Sequence, residues 1–334
     1  MDDKILLSHG SGGKLAHELV EKVFLSELNN PYLAKLDDSA VLDFNGRLAF
    51  TTDSYIISPI FFPGGDIGKL AVCGTVNDLA MAGAKPLYLS LALIIEEGLF
   101  IAELQKIVQS IRITAQEADV VIVTGDTKVV NRGNADRIFI NTAGIGIIAE
   151  GINISGSNAR PGDRVILSGT IGDHGIAVLS KREGLGFSTQ LESDCAPLAA
   201  LVAEMLASSR NIHCLRDPTR GGVATTLNEL ARQSGVGIMI EEDKIPVREE
   251  VSGACEMLGL DPLYVANEGK LVAIVPAQDA AQVLAAMKEN RYGRNAVTIG
   301  EVRDIHPGRV VMKTILGTSR VVDMLVGDPL PRIC

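Results

Sequence analysis

The sequence predicts a two-domain α+β protein, and three observations lead there. With 334 residues the chain can bury two compact cores, and 46% hydrophobic against 22% charged side chains excludes disorder as a description of the whole. Strand-like and helix-like apolar patterns recur in both halves. Between them, residues 155–163 (Ser-Gly-Ser-Asn-Ala-Arg-Pro-Gly-Asp) collect turn formers and break the periodicity, which predicts a junction there.

In chain order, residues 47–53 read as a strand ending in an acid and 68–81 as a helix. Residues 87–95 read as a buried strand, 101–118 as an amphipathic helix, and 120–124 and 137–148 as strands. Beyond the junction, strands are expected at 164–168, 237–241 and 271–275. Helices are expected there at 176–182, 198–208, 223–234, 248–258 and 277–289. Residues 310–326 resemble a hairpin or terminal strands. The last segment, 327–334, contains Pro329 and Pro331, which lack amide donors, so a loose arm is expected. The division is therefore 1–155, 156–326 and a mobile tail at 327–334, with no exact internal repeat.

Several function classes fall away. The apolar stretch 87–95 is far shorter than the roughly 20 residues of a membrane-spanning helix, and Met1-Asp2-Asp3-Lys4 lacks a signal pattern, so a cytoplasmic protein with no membrane role is expected. Cysteines at 73, 195, 214, 255 and 334 form no C-x-x-C pair and are odd in number, against a disulfide framework or zinc ribbon. Net charge −10 without a basic run disfavours nucleic acid. A small-molecule enzyme becomes the default.

Acidic motifs dominate the first half: Leu-Asp37-Asp38-Ser, Thr-Thr-Asp53-Ser, Val-Asn77-Asp78-Leu and Gly-Asp126-Thr127-Lys128, expected at strand ends or turns. Carboxylates converging there would suit Mg²⁺ on a nucleoside triphosphate; the plainer reading is that each aspartate caps a turn or helix. The start, Ser8-His9-Gly10-Ser11-Gly12-Gly13-Lys14, opens a helical pattern as phosphate-cradling loops do, but Ser8 and Leu15 stand where a Walker A motif needs Gly and Ser or Thr. It is either a flap over phosphates or a flexible terminus. Gly144-Ile-Gly-Ile-Ile-Ala149 partly matches a dinucleotide fingerprint but has no helix after it. Asp217-Pro-Thr-Arg220-Gly-Gly222 places an acid, a cation and two bare amides before a helix, either an anion site or a close-packed helix entry. In Asn267-Glu268-Gly-Lys270, Glu268 is a base or a lysine partner. The histidines at 9, 17, 174, 213 and 306 show no metal spacing. Cys334, last in the chain, is a tethered nucleophile or an accident of the tail.

Taken together, Gly-Ser-Gly-Gly-Lys, Thr-Thr-Asp, Val-Asn-Asp-Leu-Ala-Met-Ala-Gly-Ala-Lys-Pro, Gly-Asp-Thr-Lys-Val-Val, Arg-Asp-Pro-Thr-Arg-Gly-Gly, Asn-Glu-Gly and the terminal Pro-Arg-Ile-Cys resemble the HypE hydrogenase maturation factors, the carbamoyl dehydratases. The ordered match runs from Ser8 to Cys334. The acidic motifs alone resemble the wider aminoimidazole ribonucleotide synthetase (PurM)-like superfamily, with selenophosphate synthetase and thiamine-monophosphate kinase. The terminal cysteine selects the family. Ser11 stands where selenophosphate synthetases carry Cys or selenocysteine, against selenium chemistry.

The resemblance implies a PurM-like subunit: an N-terminal α+β domain whose sheet forms a homodimer, a C-terminal α/β sandwich domain, and a flexible tail. It implies that the carbamoyltransferase HypF loads Cys334, that MgATP drives dehydration of the carbamoyl group to a thiocyanate, and that cyanide passes to iron on HypC–HypD for a [NiFe]-hydrogenase. An amide-type oxygen leaves badly as hydroxide and well as phosphate, hence the nucleotide. By the same resemblance Asp38, Asp53, Asp78 and Asp126 hold Mg²⁺. Gly12, Gly13, Lys14, Asn77, Thr127, Asp217 and Arg220 join them around ATP, Lys128 stabilises charge on the phosphorylated oxygen, and Glu268 is the base, with His174 as a spare. The rival readings are a small-molecule kinase or ligase of the superfamily and a non-catalytic thiol carrier.

Overall fold

The computed structural model describes residues 3–10, 14–35, 39–184, 191–325 and 332–333. Gly12, Gly13, Asp37, Asp38, Cys334 and the side chain of Lys14, all singled out from sequence, lie outside the described residues.

The first half begins with α1 (Lys14–Leu19), a π-helical stretch (Val20–Leu25) and α2 (Ser26–Leu28). β1 (Arg47–Tyr55), the short strands β2 (Phe61–Phe62) and β3 (Gly65–Asp66), and α3 (Ile67–Met81) follow. Then come β4 (Ala84–Glu96), α4 (Ile101–Glu117), β5 (Val121–Val130) and β6 (Ile138–Ile148). Four long strands pair in the order β1-β6-β4-β5, antiparallel except for the parallel β4–β5 edge.

α3 starts where Asp66 Oδ1 accepts from the amides of Gly68 (2.7 Å) and Lys69 (3.1 Å), an N-cap that satisfies two otherwise orphan donors. The helix is apolar nearly all round and buried almost throughout, as a helix sandwiched between layers must be. It lies on one face of the sheet, and Gly74 is required there because a Cβ would strike the Tyr55 ring. The opposite sheet face is open and exposes Leu48, Phe50 and Ile94.

The second half contains β7 (Arg164–Leu167), α5 (Asp173–Glu183), α6 (Ala199–Ser208), β8 (Cys214–Arg216), α7 (Gly222–Ser234) and β9 (Gly237–Glu241). It continues with α8 (Glu249–Leu258), β10 (Val272–Val275), α9 (Ala277–Glu289), β11 (Val297–Arg303), β12 (Val310–Lys313) and β13 (Ser319–Val322). Its seven strands run β13-β12-β9-β11-β7-β10-β8. The sheet is covered on both faces. Val165, Leu167, Val272 and Ile274 pack under α7, whereas Ile166, Ala273 and Val275 pack under α6 and α9. Burial on both faces explains why β10 reads as an unbroken apolar run.

The halves share a core. Ile176, Ala177, Cys195, Val251, Cys255 and Val265 of the second half join Tyr55, Leu70, Val72 and Ile95 of the first in one cluster. This fixes α5, α8 and residues 191–198 against the first domain and shapes the cleft between the sheets. Among the described residues no helix is long and apolar enough to cross a membrane.

Several expectations differ from the structure. β5 does not stop before Gly125 but runs to Val130, because parallel pairing with β4 continues through Asp126 and Lys128. Asp126 is therefore mid-strand, and Asp78 sits near the C-terminal end of α3 and not at a strand end. The short β8 and the bulged β11, where a Cβ on Gly300 would collide with the Met239 carbonyl, escaped the periodicity reading. Of the expected loose arm only Arg332 and Ile333 are described, and Ile333 is buried in the shared core.

Candidate active site

The cleft side is built from β1, α3, β8 and the loop before β10. Strand alternation puts Thr51, Asp53 and Tyr55 on the face that α3 covers. Thr51 Oγ1 donates to Asp78 Oδ2 at 2.9 Å, joining strand to helix. Tyr55 and Thr75 share a hydrogen bond of 3.2 Å beneath them. Asp217 follows β8 and faces the same space. Burial raises the Asp78 carboxyl above its usual range, and the charge of Asp53 adds to the rise. Asp217 is pushed up to about 7, first by burial and then by Asp78. Arg216, which pairs with Glu229 at 2.7 Å, relieves both only partly.

Glu268 is a strongly perturbed acid. It is 3% exposed, its Oε1 has no hydrogen-bond partner, and burial, followed by Cys195, Asp217, Asp194 and Asp53, raises it well above its ordinary value. Its backbone is rigidly held: the amide donates to Asp194 Oδ1 (3.1 Å) and the carbonyl accepts from Asn77 Nδ2 (3.3 Å). A Cβ on Gly269 would collide with the Asp194 carbonyl. Lys270 does not pair with Glu268. It pairs with Asp194 at 2.9 Å, and although burial pushes Asp194 up, Lys270 and His174 bring it below its usual range.

Asn77, expected around ATP, braces the framework. Its amide bridges Ala196 O (3.1 Å), Glu268 O and Leu198 N (2.8 Å), so its polar atoms are spent on backbone. Asn267 likewise takes Gly172 N (2.7 Å) and donates to Pro218 O (3.0 Å), tying the Glu268 loop to the Asp217 loop. Arg220 is exposed at the entry to α7, where Gly221 and Gly222 adopt positive φ and side-chain-free backbone passes the Leu263–Val265 carbonyls.

Asp126, Thr127 and Lys128 occupy a different place. Their strand is the far edge of the sheet from β1, about 14 Å away at 4.7–4.9 Å per strand. Register aligns Asp126 with Ala92 and Lys128 with Ile94, on the open face, whereas Asp53 is on the α3 face. Lys128 donates to Asp126 at 2.7 Å, and both side chains are exposed by about 60% (63% and 60%). That bond holds the Asp126 carboxyl below its usual range. Thr127 and Gly10 line a cavity of about 350 Å³ between β5 and the N-terminal helices, and a Cβ on Gly10 would strike Val129. Of the expected metal-binding aspartates that are described, Asp53 and Asp78 share the cleft, and Asp126 stands apart from them on the far edge and opposite face of the sheet.

The chain was compared with known proteins. Residues 36–148 match the AIR synthase related protein, N-terminal domain, and residues 160–313 match the C-terminal domain of the same family. Carbamoyl dehydratase HypE of Azotobacter vinelandii is 55% identical over 327 residues, covering 98% of this chain and 96% of that protein. The chain belongs to the HypE carbamoyl dehydratase family. Its fold matches a HypE crystal structure in complex with ATP at TM-score 0.96 and 51% identity, covering 98% and 99% of the two chains. It also matches a HypE–HypF complex at TM-score 0.82 and 54% identity, covering 92% and 99%.

Within this HypE-family fold, the four described interior cysteines are buried thiols. Burial pushes Cys214 up to about 12 and Cys255 to about 11, so neither supplies thiolate near neutral pH. Sequence reasoning overlooked Thr51, Asp194 and Arg216. Thr51 was legible as the same-face neighbour of Asp53 two positions on, but Asp194 carries no motif and is placed only by the Lys270 pairing.

Proposed function

We propose that this protein is an ATP-dependent carbamoyl dehydratase that converts a carbamoyl group on the Cys334 sulfur into a thiocyanate, the cyanide source for a [NiFe]-hydrogenase. The observation that carries the reading is Glu268, a buried carboxyl whose Oε1 has no hydrogen-bond partner, facing an acidic cleft in a chain of the HypE family. A carboxyl whose proton affinity is raised toward the working pH is suited to proton transfer.

The net change is loss of one oxygen and two protons from the carbamoyl group. Bound MgATP supplies the phosphoryl group that lets this oxygen leave as phosphate, with the metal offsetting phosphate charge. One N–H proton is released to solvent when the oxygen is phosphorylated, and Glu268 accepts the other as the C–O bond breaks and the C≡N bond forms. Asp194, Asn77 and Gly269 hold its backbone still. Asp53, Asp78 and Asp217 repel one another, and a divalent cation relieves that repulsion. Among the described residues no group of three or more His, Cys, Asp or Glu forms a cage by itself.

Lys128, Asp126 and Thr127 serve a site with Asp53 and Glu268 only when a second copy provides them, since edge and face are both wrong within one chain. The open face bearing Leu48, Phe50 and Ile94 is the surface for that homodimer. HypF loads the tail, HypC–HypD receives the product, and the setting is the cytoplasm. We take 1–155, 156–326 and 327–334 as the working division.

The test loads Cys334 with carbamoyl, adds MgATP and weighs the C-terminal peptide. ATP-dependent loss of one water is expected, and its absence refutes the dehydratase. Cys334→Ala should abolish cyanation and retain ATP binding. A kinase would act on a diffusible substrate without the tail, and a carrier would hydrolyse no nucleotide.

A further inference from the structure

His174, first read as a spare base, is completely buried at the start of α5 and occupied on both ring nitrogens. Nε2 lies 2.8 Å from the Ile333 carbonyl oxygen, and Nδ1 lies 2.8 Å from Ser193 Oγ. Burial lowers its proton affinity, which favours the neutral ring. A carbonyl can only accept, so Nε2 carries the hydrogen and Nδ1 accepts from the Ser193 hydroxyl. Ser193 Oγ accepts in turn from the Cys195 amide at 3.0 Å. Phe62 packs edge-on against the imidazole at 5.5 Å and fixes its plane.

The preceding carbonyl is held as firmly. Arg332 O accepts from Ser58 N (3.2 Å) and from Arg182 Nη2 (2.7 Å), while Arg182 Nε donates to Ser58 O (2.7 Å). The Arg332 side chain pairs with Asp136. Arg332 adopts φ +57°, a left-handed conformation that a non-glycine residue keeps only where its surroundings impose it. Ile333 is 3% exposed.

We propose that His174, with Arg182 and Ser58, forms a seat that positions the two residues before Cys334, making His174 a positioning residue for the tail-borne reaction. The seat adjoins the candidate base through one short segment. Ser193 partners His174, and the next residue, Asp194, accepts from the Glu268 amide. The catalytic part of the inference rests on the dehydratase reading; the seat itself does not.

The experiment uses the full chain with Cys334 carbamoylated. Trypsin cuts after Arg332, and the seat should shield that bond. His174→Phe keeps a ring but removes both hydrogen bonds, and should release the terminal dipeptide at least about fivefold faster than the parent, with other tryptic sites unchanged. Its single-turnover water loss should slow by about tenfold or more, with ATP affinity within about twofold. His174→Gln, which can present an amide N–H near the Nε2 position, should restore both. Arg182→Met, at a less buried position, should shift both in the same direction and covers the case in which His174→Phe fails to fold.

Unchanged trypsin release in His174→Phe and Arg182→Met overturns the seat. Faster release with unchanged water loss overturns the positioning role. If the parent itself shows no ATP-dependent water loss, the dehydratase reading fails, and trypsin release alone decides the seat.

Discussion

Asp217 and Asp126 are both aspartates in glycine-containing motifs, yet burial raises one to about 7 while the Lys128 ammonium lowers the other. The cleft crowds Asp78, Asp217 and Glu268 where burial desolvates them, beside the half-exposed Asp53 and with Arg216 as a nearby cation. The β5 edge leaves Asp126 and Lys128 in water, already neutralising each other. The first stores repulsion that a cation or a proton relieves, and so changes with ligand and pH. The second is a cheap, exposed pair that can exchange partners at an interface.

That contrast breaks most sharply at Glu268. Glu268→Gln keeps shape and removes the base, so single-turnover water loss should fall by about 10²–10⁴-fold. Thermal stability should hold or rise, because the substitution replaces a buried ionisable group by a neutral one. Loss of activity together with collapse of the melting temperature would make Glu268 structural.

Lys128→Ala should cost about tenfold to a hundredfold in the same assay with almost no change in stability, as its ion pair is exposed. Mixing Lys128→Ala and Glu268→Gln chains sharpens the point. If each site draws Lys128 from one copy and Glu268 from the other, random reassociation should recover about a quarter of parent activity. No recovery would place both residues in one chain's site and overturn the two-chain reading.

Next comes pH. Asp217 is protonated in both folded and unfolded chains below about pH 4. As pH rises toward about 7, the unfolded chain loses this proton while the folded one keeps it, which progressively disfavours folding; above that the deficit is constant. Asp217→Asn should therefore melt at nearly the parent temperature at pH 4 and a few degrees above it at pH 8. A gain equal at both values would rule out ionisation as the cause. The smallest effect belongs to Asp126→Asn, expected to shift stability by less than about 0.5 kcal/mol in denaturant titration.

Much of this was legible beforehand because local rules governed it. The helix at 68–81, the apolar run of β10 and the strand at 47–53 follow from short-range pattern. Other positions depended on register. Asp126 reads like Asp53 in sequence, but pairing of β5 with β4 places it on the opposite face and edge. Asn77 reads like a ligand contact in sequence, and its role as a brace emerges only where three backbone groups distant in sequence converge on its amide. Lys270 was read beside Glu268 through adjacency and found Asp194 through space.

By itself the sequence determined a two-domain α+β chain, free interior thiols, acidic motifs suited to a metal-nucleotide, and the family to which its ordered motifs belong. Those properties reside in residue type, spacing and order. The tertiary structure alone decided which acids share a cleft, that Lys128 faces away from it, and that His174 grips the end of the chain. Electrostatic and hydrogen-bond energies depend on distance and solvent exclusion between residues far apart along the chain, and neither exists until the sheets and helices have packed.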